Sequence, residues 1–280
     1  MMRARAIPWL LVGALTLPLS ACGPGGGTRA PETPAAAVTK EQLYQQGHRL
    51  YQTGALDSAR AVLERAAALD SSYAEPVADL AQLHYDLAMA EGDEHASSRK
   101  AEYRRSLQYF ARLEKLGNTD AATYERLCEL AVALGDDRSF LRYAKRNAER
   151  YPFDRQYYNL GLAYFNAGDF QSVVRTQKEA AERFGSSPYL GGFYRQMGRA
   201  YMKLNRDQTA ERMLESGLKA VDTRMTGARK EKGSSSDDYR RLTEDRIAIL
   251  QLLRHLHQTY RDEAKLQEVE KLLKDAGALR

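Results

Sequence analysis

Five histidines (His48, His84, His95, His255 and His257) and two cysteines (Cys22 and Cys128) are the side chains that metal or thiol chemistry would have to use. Ser97 stands three residues before Lys100, the spacing at which an amine takes a proton from a nucleophilic hydroxyl. No Lys-Thr-Gly follows, and Ser236-Asp237-Asp238 has an aspartate where the companion motif needs asparagine. His255 and His257 lie two apart, so on a helix they point to different sides, unlike the i, i+4 pair of a zinc-binding helix. Asp93, Glu94 and His95 are adjacent and polar, and read as a solvated loop. No nucleophile, base and orienting group assemble from the sequence. It therefore predicts a non-enzyme with no metal and no cofactor.

Cys22 has a different chemistry available. Arg3 and Arg5 precede a 16-residue uncharged run from Ala6 to Ala21, which contains Pro8 and Pro18 and falls short of the ~20 residues of a membrane-spanning helix. That layout is a signal peptide, residues 1–21. Its end, Leu19-Ser20-Ala21-Cys22, resembles the bacterial lipobox, which implies that Cys22 is the lipidation site and first residue of the mature chain. Gly23, rather than aspartate, follows the cysteine, and the resemblance then implies the outer membrane, with the body facing the periplasm. Two acyl chains suffice for stable anchoring at a membrane surface.

Residues 22–40 are rich in glycine and proline and poor in large apolar groups, a flexible linker with an r.m.s. reach of roughly 20 to 25 Å. The formal charge of +5 drops to +3 once Arg3 and Arg5 are removed, too mild to imply a nucleic-acid partner. With Cys22 acylated, Cys128 has no partner, so packing rather than disulfides must hold the body together. Leucine, alanine, arginine and glutamate dominate over valine and isoleucine, which favours helices.

Self-similarity specifies which helices. Gln156–Phe170 carries Tyr157, Leu160-Gly161, Tyr164 and the Gly168-Asp169-Phe170 turn, followed by Ala180 at a small position. Leu43, Gly47, Leu50, Gly54, Ala59, Leu63 and Ala66 repeat that register, as do Tyr124, Leu127, Cys128, Ala131, Gly135-Asp136 and Ala144. A further copy has Tyr194, Met197-Gly198, Tyr201, Ala210, Leu214 and Gly217. The pattern resembles the tetratricopeptide (TPR) repeat, in which a small residue lets two helices approach and aromatic or leucine side chains fill the space around them. Val77, Leu80-Ala81, Tyr85, Leu107, Phe110 and Leu113 make a stretched second copy, whose turn is expected to carry about 13 residues beyond the usual ~34. Leu253, Leu256, Leu266, Val269 and Leu273 make a degenerate last pair. The expected fold is all-α, a right-handed α-α solenoid of about six hairpins. Five repeats occupy 41–220, a polar linker 221–238 and a capping pair 239–280; a helical solenoid of another family is the alternative.

In such an array the first helices line a concave groove. The resemblance places Tyr44, His48 and Tyr51 there from the first repeat, and Asp79, Gln82 and Tyr85 from the second. The fourth contributes Arg155, Tyr158, Asn159, Leu162, Phe165 and Asn166, and the fifth Arg195, Gln196, Arg199 and Lys203. Arg195, Arg199 and Lys203 follow at i, i+4 and i+8, a basic stripe expected to lie beside Arg155, Asn159 and Asn166 with no carboxylate among these positions. Tyrosines at these places either face the groove or seal neighbouring repeats. Family members that grip carboxylate tails need donors in the third repeat, where this chain has Glu125 and Glu129. The expectation is a lipid-anchored adaptor that binds proteins or peptide segments in the cell envelope, assisting assembly of a secretin or pilus, an outer-membrane protein or cell-wall machinery. A ligand- or peptide-binding module of other specificity is the alternative. Replacing Cys22 with Ala should block lipidation and move the body out of membrane fractions or leave the precursor uncleaved; normal membrane association of an unlipidated mutant would contradict this.

Overall fold

The computed structural model describes residues 38–92, 95–232 and 237–279. Cys22, the signal peptide, nearly all of the linker, Asp93, Glu94 and Ser236 lie outside them. Among the described residues there are twelve helices and no strand. They form six successive antiparallel pairs: α1 (Lys40–Gln52) with α2 (Leu56–Leu69), α3 (Ala74–Ala90) with α4 (Ala96–Lys115), and α5 (Ala121–Leu134) with α6 (Asp137–Arg150). Then come α7 (Asp154–Asn166) with α8 (Phe170–Arg183), α9 (Leu190–Lys203) with α10 (Asp207–Lys232), and α11 (Asp237–Tyr260) with α12 (Glu263–Asp275). Each helix also packs on the next in sequence, the arrangement of an α-α solenoid.

The turns follow from local chemistry. At the third and fourth hairpins Gly135 and Gly168 adopt φ of 71° and 75°, a left-handed conformation that ends the first helix without a Cβ clash. The next residue, Asp136 or Asp169, accepts a hydrogen bond from the backbone N–H of Ser139 at 2.9 Å or Ser172 at 3.0 Å and so starts the second helix. Asn205 and Arg261 take the left-handed conformation in the fifth and sixth hairpins. At the beginning, Thr39 and Gln42 form a reciprocal capping box.

The core is a thin layer of leucine, alanine and tyrosine between paired helices. Leu63, Leu80, Leu83, Leu127 and Leu130 are wholly buried, each contributing ~1.5–3 kcal/mol relative to exposure. Cys128 is buried where other repeats carry glycine, and burial pushes its thiol pKa up to about 12, with Glu125 and Glu129 adding to the effect. An unreactive thiol is the consequence.

Two departures from the sequence expectation concern length. Most of the extra residues of the second repeat lengthen its helices, to 17 and 20 residues. His84 and Glu102 tie the elongated pair together at 2.5 Å, with Tyr109 stacked on the imidazole and Arg105 on the second carboxylate oxygen. Nor does the polar stretch from 221 act as a linker: α10 continues to Lys232, and α11 begins at Asp237. Val221, Met225 and Ala228, at i, i+4 and i+7, keep one apolar stripe against α11, and Asp222 accepts a hydrogen bond from Arg246 at 2.7 Å. Polar composition hid a stripe only one residue wide.

Gly161 marks the tightest small-residue contact. A Cβ built there would lie 1.8 Å from Gln177 Nε2 and 2.2 Å from Gln196 Oε1, and both amides are buried and donate to backbone carbonyls of α7. Gly161→Ala should therefore destabilise the chain by ~1–3 kcal/mol, read as a lower urea midpoint; an unchanged midpoint would show that the amides relocate freely.

Candidate functional site

The positions expected to bind partners lie on four of the six first helices, α1, α3, α7 and α9. Two stretches of this face are built differently. Over α1 and α3, polar groups are tied to one another. His48 Nδ1 lies 2.6 Å from Asp79 Oδ2, and Gln52 Nε2 lies 2.8 Å from His48 Nε2. Gln82 Nε2 donates to Asp86 Oδ1 at 2.7 Å, and the Tyr51 hydroxyl donates to the same carboxylate. Burial, and then Asp86, raise the Tyr51 phenol above its ordinary pKa. Tyr44 meets Tyr73 edge-on at 5.6 Å, and Tyr85 lies under the Arg126 guanidinium, which is 3.7 Å from its ring centre. These tyrosines seal neighbouring hairpins and are half-buried.

The stretch over α7, α9 and α11 is richer in cations and aromatic faces. Tyr158 packs on Tyr189 with ring centres 5.2 Å apart, and its hydroxyl accepts a hydrogen bond from Arg195 Nη2 at 2.9 Å. Gly192 makes this possible, because a Cβ there would sit 2.6 Å from the Tyr158 ring. Phe165 stands edge-on to Phe170 at 5.2 Å while the Arg199 guanidinium covers its face at 4.1 Å. Asn159 and Leu162 are half-buried, and Lys203 is exposed.

The basic stripe is not free of carboxylates, contrary to expectation. Arg195 Nη1 is 3.0 Å from Asp245 Oδ1 on α11, Arg155 Nη1 is 2.9 Å from Glu125 Oε2 on α5, and Asn166 donates to Asp137 at 3.1 Å. The long terminal hairpin lays Asp245 against α9, something that spacing within one repeat cannot reveal. Gln196 also departs from its assigned place: it is buried and donates to the Tyr158 carbonyl at 3.2 Å, because Gly191, Gly192 and Gly198 draw that part of α9 into the packing.

Asp245, Tyr189 and Arg241 went unnoticed in the sequence, although all three belong to this cluster. Arg241 sits 5.4 Å from the Tyr189 ring and pairs with Asp238 at 3.3 Å. Arg241 and Asp245 are four apart, which would have placed them on one side of a helix had the helix been recognised there.

Ser97, Ser98 and Lys100 lie exposed on the first turns of α4. Among the described residues no three His, Cys, Asp or Glu side chains are placed to hold a metal ion, and no helix is long and apolar enough to cross a membrane. One cavity, about 570 Å³, lies beside the α8–α9 turn and is lined by Ser186, Pro188, Tyr194, Lys219 and Arg224 among others. A second, about 510 Å³, surrounds Asp207, Glu211, His257 and Tyr260.

Comparison with solved structures gives the class to which this architecture belongs. The chain is similar to YrrB, described as a TPR protein with an unusual peptide-binding site, at TM-score 0.50 and 17% identity, over 68% of this chain and 91% of YrrB. It is similar to MamA at TM-score 0.51 and 15% identity, over 69% of this chain and 95% of MamA. No protein-family model matches the chain, and no curated protein matches its sequence. At such identities the likeness is one of fold: the body is an array of TPR-type helical hairpins.

Burial raises the Asp245 pKa above the ordinary aspartate value, against Arg195 and Arg241, which lower it. The folded chain thus holds a proton there that the unfolded chain has released, so the group's stabilising contribution is full at low pH and is lost as pH rises through its folded value. In Asp245→Asn this dependence disappears. The stability of the variant minus that of the native chain should therefore rise with pH from below about 3.9 towards neutrality, measured by urea unfolding. A difference that falls with pH would show that the arginines, not burial, dominate.

Proposed function

We propose that the chain is a non-catalytic scaffold that holds protein or peptide segments on its first-helix face, tethered by a lipid on Cys22 to the outer membrane of a bacterial envelope. One observation carries the binding part: the α7–α9–α11 stretch offers half-buried aromatic rings and guanidinium groups side by side on rigid helices. Aromatic and arginine side chains are the groups enriched in protein-binding surfaces, where they lose little entropy and can both stack and donate. The peptide-binding site attributed to YrrB supports the same use of this fold. Membrane attachment rests on the signal peptide and the cysteine context, and a flexible linker would let the body reach partners near the surface. An anchored body with one adhesive face suits the assembly of an envelope complex, since it raises the local concentration of what it holds.

A photo-crosslinking amino acid placed at Lys203, exposed at the end of α9, tests this in cells against the same probe at Lys178, exposed on α8. Discrete adducts with envelope proteins should come from position 203 and be absent or different at 178. Identical adduct patterns from both positions would remove the support for a dedicated binding face.

A further inference from the structure

The charges of the α7–α9–α11 cluster do not match. Arg195 is committed twice, to Asp245 at 3.0 Å and to the Tyr158 hydroxyl at 2.9 Å. Arg241 pairs with Asp238 at 3.3 Å. Arg199, one helical turn from Arg195, has no carboxylate within ion-pair distance and no hydrogen-bond partner among the described residues, and its guanidinium lies over the Phe165 ring. It is nevertheless half-buried. Burial, followed by the like charge of Arg195, holds its pKa below the usual arginine value.

A guanidinium in this position has lost part of its hydration without gaining an anion. Its ring-facing side is occupied by Phe165, which leaves the N–H edge to donate. A carboxylate meets both needs, because it supplies the charge and accepts two parallel hydrogen bonds from the planar fork. Leu162, three residues before Phe165 and half-buried, adds an apolar floor for the neighbouring part of the bound segment. Lys203, a further turn along α9 and exposed, adds charge without a fixed direction.

We propose that Arg199, stacked on Phe165, is the carboxylate-receiving residue of the first-helix face and selects partner segments that present an acidic side chain or a free C-terminus. This rests on the scaffold reading above, and it narrows the basic stripe to one donor, since Arg195 already has its anion within the chain. The arrangement uses a single arginine between the fourth and fifth hairpins, with no part played by the third, where Glu125 and Glu129 stand.

The test uses the full chain in detergent micelles, applied to an array of decapeptides of varied sequence. Each peptide is presented in matched versions: free C-terminal acid against amide, and internal Glu against Gln. Native chain should prefer the acidic member of retained pairs by about tenfold, the scale of a hydrogen-bonded ion pair. Arg199→Met should reduce that preference to less than about twofold with unchanged helicity and melting, and Arg199→Lys should keep only part of it. Lys178→Gln, exposed on α8 and away from this face, should as control change it by less than about twofold. The acid/amide pairs and the Glu/Gln pairs separate a terminal from a side-chain carboxylate. Acid preference that survives in a folded Arg199→Met chain overturns the proposal, as does full preference in Arg199→Lys if the methionine variant fails to fold. Retention of peptides without any acid preference overturns it while leaving the scaffold intact, and retention of no peptide at all overturns both.

Discussion

Everything in this chain depends on how closely the two helices of a hairpin can approach. Where the first helix carries glycine, the second lays a side chain directly on its backbone: Leu63 against Gly47, Gln177 against Gly161 and Leu214 against Gly198. Built Cβ atoms at these three glycines would fall within 2.7 Å of those side chains, closer than packed atoms tolerate. The contact fixes the rotation of each helix about its axis, and that rotation decides which residues are enclosed and which line the outer face. Cys128 shows the tolerance of the design, since a small side chain occupies the third such place and is buried.

Hairpins built this way are nearly interchangeable, so something else must distinguish their neighbours. Polar ties do much of it. Glu125 on α5 receives both Arg155 and Gln156 from α7, Asp79 on α3 holds His48 of α1, and Asp245 on α11 holds Arg195 of α9. Each tie joins the first helices of successive hairpins, and all are partly buried, where an ion pair is screened less than at an open surface. Such ties consume groups that a partner might otherwise have used. Over α1 and α3 such ties take up His48, Tyr51, Asp79 and Gln82, whereas over α9 they stop short of Arg199 and Lys203.

The terminal hairpin is the element that sets this difference. Its first helix, at 24 residues, is longer than a repeat requires, and the extra turns at the start of α11 carry Arg241 and Asp245 across α9. A shorter cap would have left a stripe of three cations. With the long cap, one arginine becomes a structural tie and another remains open beside an aromatic ring, which converts a diffuse positive face into a directional one.

The sequence by itself determined the helical class, the hairpin register, the turns at Gly54, Gly135 and Gly168, and the buried state of Cys128, because each follows from spacing within about thirty-four residues or from the chemistry of one turn. The proposal of a lipid anchor at Cys22 rests on the sequence alone. Tertiary structure alone decided what became of the extra length in the second and fifth repeats, since a polar helix held by a one-residue stripe is indistinguishable from a linker until its partner is present. It alone decided that Gln196 is buried, that Asp245 neutralises Arg195, and that Arg199 rests on Phe165. Those pairings join residues on different hairpins, up to fifty positions apart, and no periodicity within a single repeat encodes them.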